Sequence, residues 1–372
     1  MIGKIQFRIF AHSWISDWNH GNAHFLRGLA QELVQLGHEV RCYEESSSWS
    51  LTNLLQETGE PRETVLRRFR QSFPALDVRF YVDDHTFPRF AEQELKEADV
   101  VIIHEWNSLE IVNAILSLKS RFGFRALFHD THHRAYTRPE EIQRYPLQAF
   151  DGVLAFGEAI RQIYEQVYKV HPTWTLHEAA DTVHFQPLAR EKDMDVVWIG
   201  NWGDEERTRE LEEFLLGPAQ RLRGRKIVAY GVRYPDDAKP RLEQANIEYR
   251  GYLPNLTTPE AYARSALSLH VPRTFYANGL SGIPTIRVFE ALACGSPLIC
   301  APWSDAEGLF RQGEDYVCAE DSSAMESEIR HLLTDDLARR QISRNAIDTI
   351  MSRHTCRHRA MELVEICEQL SQ

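Results

Sequence analysis

Thr285, Ile286, Arg287 and Glu290 stand together in the stretch LSLHVPRTFYANGLSGIPTIRVFEALACGSPLICAP, residues 267–302. A helix opening there offers backbone N–H groups around Thr285, Ile286 and Arg287 that have no partner inside the helix, and such an end attracts phosphate. Glu290 follows one turn later, within reach of a sugar hydroxyl beside that phosphate. The alternative is an i,i+3 surface pair between Arg287 and Glu290. A second group is HDTHHR, residues 129–134, with His129, His132 and His133 around one aspartate. It invites a metal, yet no second cluster in the sequence completes a coordination sphere, and no metal is expected. The preferred reading is a set of polar groups at a strand end, where imidazole binds a sugar hydroxyl or passes a proton. A third group is WNHGN, residues 18–22, which brings His20, Gly21 and Asn22 just ahead of His24. It is either a structural turn or a ligand-facing loop, and it is not the GxGxxG of dinucleotide binding.

The elements that must hold these residues alternate strand and helix. Residues 266–271 are β-prone, and 285–294 carry Ile286, Phe289, Leu292 and Ala293 at helical spacing before Gly295. Residues 297–301 resume a strand-like run, so the unit is βαβ with a parallel sheet. Its first connection, 272–284, has 13 residues where two to six is usual, which marks a functional loop at the carboxyl end of a strand. Earlier in the chain, strands are expected at 5–11, 39–43, 98–104, 126–129 and 152–156, with helices at 23–36, 46–73 and 158–167. WNHGN thus joins a strand to a helix, and Glu105 and Trp106 directly follow the apolar run ADVVIIH. The polar segment 174–193 interrupts the pattern, after which a second βα series begins at 195–199 and continues with the loop NWGDEERT, a helix at 206–216 and a strand at 226–230. A helix near 259–265 leads into the opening unit, and helices at 322–334, 337–351 and 357–370 close the chain. The expected domains are 1–187 and 188–352, with 353–372 a helix packing back on the first.

Composition limits the function classes. At 372 residues, 43% apolar and 26% charged, the chain is an ordinary globular protein large enough for two cores. A formal charge of −12 argues against general nucleic-acid binding. Six scattered cysteines (Cys42, Cys294, Cys300, Cys318, Cys356, Cys367) show no zinc-like spacing and read as reduced thiols of a cytoplasmic protein. No run approaches the ~20 apolar residues of a membrane span, and MIGKIQFRIF alternates like a strand rather than a signal peptide. Arg62, Arg67, Arg68 and Arg70 form a basic face that is either solvated or touches an anionic membrane or acidic acceptor.

The block GIPTIRVFEALACGSPLI resembles the nucleotide-sugar-binding block of family-4 glycosyltransferases, and is closer still to their CgeB-like subgroup. HEAADTVHFQP is similar to that family's interdomain segment, LFHDTHHR to its strand ending in histidine, and GHEVRCYE to its second strand. The resemblance touches nearly the whole chain. It implies a GT-B fold, in which two Rossmann-like α/β domains with parallel sheets face each other across a cleft, the acceptor mostly on the first and the donor mostly on the second. The implied activity is transfer of a sugar from a nucleotide diphosphate sugar to an unidentified acceptor, a hexosyltransferase-like EC 2.4 reaction with retention and without metal or other cofactor.

The same resemblance assigns residues. Glu290 falls on the glutamate that holds the nucleotide ribose, Thr285 and Ile286 on the backbone cradling the diphosphate, Gly21 on the loop below it, and His129 on the histidine near the transferred sugar. A basic pair normally neutralises the diphosphate after the first strand of the second domain. Here GNWGDEER puts Asn201 at one position, Arg207 keeps the other, and Arg273 and Arg287 are candidates to make up the charge. His20, Asn22, Glu105, His132 and His133 are the acceptor-side candidates. One departure is plain: the family's first glutamate, eight residues before Glu290, is Gly282. That leaves open the donor sugar and two rival readings, a nucleotide-sugar epimerase of the same fold and a catalytically silent sugar- or nucleotide-binding module.

Overall fold

The computed structural model describes residues 3–203 and 205–371, which leaves Asp204 of the NWGDEERT loop outside. The chain forms two compact units, Met1–Glu178 with Cys356–Gln372, and Ala179–Thr355. Each is built on one parallel sheet.

The first sheet consists of β1 (Gln6–Phe10), β2 (Glu39–Glu45), β3 (Asp77–Tyr81), β4 (Val100–His104), β5 (Arg125–Asp130), β6 (Gly152–Ala155) and β7 (Thr173–Thr175), in the order β3-β2-β1-β4-β5-β6-β7. The run VVIIH of β4 is buried at every position, as a central parallel strand covered on both faces must be. The second sheet consists of β8 (Met194–Ile199), β9 (Ile227–Tyr230), β10 (Ile247–Tyr249), β11 (Ser265–His270), β12 (Leu298–Cys300) and β13 (Val317–Cys318), in the order β10-β9-β8-β11-β12-β13. Both sheets reverse their winding beside the first strand, between β1 and β4 and between β8 and β11. Loops leaving the carboxyl ends of those pairs diverge to opposite faces and leave a crevice, the usual ligand position of open α/β sheets.

The chain leaves the first unit inside the polar segment 174–193. β7 still pairs with β6, whereas the amide of Ala180 donates to His354 O at 2.9 Å inside the second unit. The Cys356–Ser371 helix returns to the first unit and packs on Ala23–Gln35, with Leu363, Val364, Ile366 and Cys367 buried.

Two expectations are corrected. Residues 46–73 form two helices, Trp49–Thr58 and Arg62–Ser72, because Gly59 ends the first in a left-handed conformation (φ 65°) and Pro61 starts the second. On the second helix, Arg62 donates to Ser46 O at 2.8 Å and lies over Phe80, and Arg68 pairs with Glu60, so part of the basic face is held by its own unit. The long 272–284 connection contains a short helix, Thr274–Asn278. The short edge strands β3, β7, β10 and β13 were not among the expected strands. No described helix is long and apolar enough to cross a membrane.

Candidate functional site

In the second unit, β11 ends at His270 and the helix Ile286–Ala293 begins just after Thr285, both on the crevice side of the sheet. Ile286, Val288, Phe289, Leu292 and Ala293 are buried and fix the helix against the core, which leaves its first turn at the strand ends. Glu290 is also wholly buried. Its carboxylate accepts from Asn255 Nδ2 at 2.6 Å and from Arg287 Nη1 at 2.5 Å. The i,i+3 pair therefore forms, but around a buried carboxylate rather than on the surface. Asn255 was not foreseen. Nothing in its local sequence points to a residue 35 positions away.

Arg207 lies buried beside this end. Its guanidinium donates to the backbone oxygen of Val271 and, at 3.3 Å, to Glu210. Burial, with the Arg273 guanidinium nearby, lowers its pKa to about 10. Arg273 packs over Gly203, whose φ of 87° favours glycine. Asn201 accepts from the Val232 amide at 2.9 Å and so joins the ends of β8 and β9. His270 is held down at about 3 by burial, and then by the positive charges of Arg207 and Arg287. Gly282 has φ 89°, its amide donates to Ser304 O at 2.7 Å, and a Cβ there would lie 2.7 Å from Glu307 Cγ.

In the first unit, the exits of β1, β4 and β5 bring polar groups together. Gly21 O accepts from the His24 amide at 3.3 Å in the turn before the Ala23–Gln35 helix. Asn22 donates to the backbone oxygen of Thr131 at 3.0 Å and to its hydroxyl. The same hydroxyl lies 2.7 Å from His104 Nε2. The His104 ring stands 5.5 Å from that of His129 and 6.2 Å from that of His20, which in turn is 5.2 Å from that of His12. His129 Nε2, His20 Nε2 and His104 Nδ1 are buried without a hydrogen-bond partner among the described residues. Burial alone holds His129 at about 4. Burial, then Arg134, holds His12 at about 4, and His20 and His104 lie well below the ordinary value, chiefly through burial. The cluster is thus neutral at physiological pH, with nitrogens able to accept or donate.

Glu105 is fully buried and pairs with Arg134, whose guanidinium covers the Trp106 ring at 3.7 Å. Burial pushes the Glu105 carboxyl up against the opposing pull of Arg134. Asp130 accepts from Tyr164 Oη at 2.7 Å and from the His132 amide at 2.9 Å, which orients the HDTHHR segment. His132 and His133 are half-buried with ring centroids 3.9 Å apart, and His133 Nδ1 reaches Thr137 Oγ1 at 2.7 Å. Among the described residues no three His, Cys, Asp or Glu side chains converge to hold a metal ion. Sequence reasoning had missed His12, His104, Thr131, Arg134 and His270. For His104 and His270 a signal existed, since each ends an apolar strand run at the crevice side.

The fold and strand-end groups define a two-unit, doubly wound α/β protein, and the solved structures that share this GT-B architecture include glycosyltransferases. Residues 20–183 match the family described as Glycosyltransferase Family 4, and residues 207–365 match the family described as Glycosyl transferase-like. A glycosyltransferase from Rickettsia africae superposes with TM-score 0.67 at 11% identity, covering 100% of both chains. Sucrose-phosphate synthase from Thermosynechococcus elongatus gives 0.68 at 14% identity, covering 99% of each. HepE from Anabaena, in complex with UDP and glucose, gives 0.70 at 11% identity, covering 98% of this chain and 99% of that one. At such identities the likeness shows the fold. No curated protein matches the chain in sequence.

Proposed function

We propose that the protein is a glycosyltransferase moving a sugar from a nucleoside diphosphate sugar, with UDP-sugar the first candidate donor, to an acceptor held by the first unit. The observation that carries this reading is that Arg287 stands in the first turn of the Ile286–Ala293 helix and Arg207 bonds the backbone oxygen of Val271, next to the His270 that holds Thr285, in a chain of net charge −12. In the reaction the bond from the sugar's anomeric carbon to the diphosphate oxygen breaks, the acceptor oxygen bonds to that carbon, and the acceptor proton passes to the departing diphosphate. Charge develops on the diphosphate, so fixed N–H groups at Ile286 and Arg287 with the guanidinium groups of Arg207, Arg273 and Arg287 stabilise the transition state. That concentration of positive charge also supports a reaction without metal. Glu290 reads the nucleotide ribose by turning from Asn255 and Arg287, and the neutral His129 contacts the transferred sugar. Retention and membership of the CgeB-like subgroup are supported by the GIPTIRVFEALACG block. That HepE was solved with UDP and glucose supports a uridine donor.

Calorimetric titration with UDP, GDP, ADP and dTDP sugars, followed by NMR of donor hydrolysis and transfer, tests the reading. Donor-dependent release of nucleoside diphosphate is expected, with the anomeric coupling of the product reporting retention. Tight binding with neither hydrolysis nor transfer to any of a varied set of acceptors would refute it, and interconversion of sugar epimers without acceptor would make the protein an epimerase.

A further inference from the structure

The residue that opens the Ile286–Ala293 helix is a threonine, a type that ordinarily caps its own helix by accepting a hydrogen bond from a first-turn amide. Thr285 has the extended backbone of a capping residue (φ −79°, ψ 161°), yet its side chain makes no cap hydrogen bond. Its hydroxyl lies instead 2.9 Å from His270 Nε2. Within the first turn the Val288 amide reaches the backbone oxygen of Thr285 at 3.0 Å, so the main chain closes the turn while the side chain is held elsewhere.

His270 is 5% exposed, is the last residue of β11, and leaves its Nδ1 without a hydrogen-bond partner among the described residues. A buried imidazole with an unmatched nitrogen costs stability, and so does an uncapped helix end. Two such costs at one spot, beside Arg207 and Arg287, are what a site reserved for a ligand requires. Removing His270 would release Thr285 to rotate about χ1 and place its hydroxyl on the first-turn amides, where it would compete with any anion.

We propose that His270 is a positioning residue that holds the Thr285 hydroxyl off the helix end, so that the first-turn amides stay open for a phosphate group of a nucleoside diphosphate. This rests on the reading of that end as the donor site. His270 touches no phosphate itself and acts through Thr285.

The test is a double-mutant cycle read by UDP calorimetry and thermal melting of the full chain. His270→Ala is expected to weaken UDP binding about fivefold, the worth of one N-cap hydrogen bond. His270→Phe, which fills the same space, is expected to give the same loss. Thr285→Val is expected to lower the melting temperature, because it leaves His270 Nε2 without the hydroxyl that partners it. In the Thr285→Val background, neither His270 substitution is expected to alter UDP affinity, because no hydroxyl remains to block the amides. An undiminished loss in that background would overturn the inference and leave His270 a packing residue. Failure of the unmodified protein to bind UDP, GDP, ADP or dTDP would overturn the donor-site reading itself, and this inference with it.

Discussion

Replacing Glu290 by glutamine removes one charge and changes little volume, which makes it the sharpest probe of the helix end. The carboxylate is wholly buried and bonded to Asn255 at 2.6 Å and Arg287 at 2.5 Å. Breaking a fully buried ion pair costs ~3–5 kcal/mol, but the Arg287 side chain is 27% exposed and can turn to water. Glutamine can still accept from Asn255, so the loss reduces to one charge-assisted hydrogen bond, ~1.5–3 kcal/mol of folding stability. If Glu290 also binds the ribose, a second loss of similar size appears in UDP affinity, about tenfold to a hundredfold. Urea denaturation gives the first quantity, and calorimetry of the folded protein with UDP gives the second. A structural pair alone predicts reduced stability with unchanged UDP affinity, and that result would refute the ribose role. Unchanged stability would refute the buried-pair argument.

Acid should destabilise the protein, with the sign set by its buried imidazoles. His12, His20, His104, His129 and His270 have folded-state values below the ordinary 6.5, down to about 4 for His12 and His129 and about 3 for His270. The unfolded chain therefore gains protons first, and stability falls as pH drops below 6.5. Glu105 and Asp130 act oppositely, because burial raises both carboxyls. The balance of about three protons gives at most ~4 kcal/mol per pH unit near pH 5, to be read from urea midpoints between pH 5 and 7, where a flat or opposite trend would contradict it. His129→Ala is expected to lower turnover about fivefold to tenfold, the worth of one hydrogen bond to the transferred sugar, while UDP affinity changes less. Steady-state kinetics beside calorimetry checks this, and normal turnover would remove His129 from the site. Gly282→Ala should cost ~1–2 kcal/mol in chemical denaturation, since φ is 89° and the new Cβ would meet Glu307; no loss would show that the loop relaxes freely.

The sequence alone determined what local periodicity and stop signals can carry. Alternating apolar runs and helical spacing gave two parallel α/β units, Gly37 and Gly295 closed their helices, and the order of strand, long loop and helix placed Thr285, Arg287 and Glu290 at the opening of one helix. His129 was legible because it ends an apolar strand run. Gly59 and Pro61 were equally visible yet read through, because the apolar spacing on either side continued the same pattern. Only the tertiary structure decided which strands lie side by side, and with them the partners. Placing β4 beside β1 brings Asn22 to Thr131 across 109 residues, and packing around the Ile286–Ala293 helix brings Asn255 to Glu290 across 35. It also turned the surface alternative for Arg287 and Glu290 into a pair around a buried carboxylate, and took the Thr285 hydroxyl from its own helix to His270. Periodicity records which face of an element is apolar, whereas a hydrogen bond between distant residues depends on strand order and packing, which no local window contains.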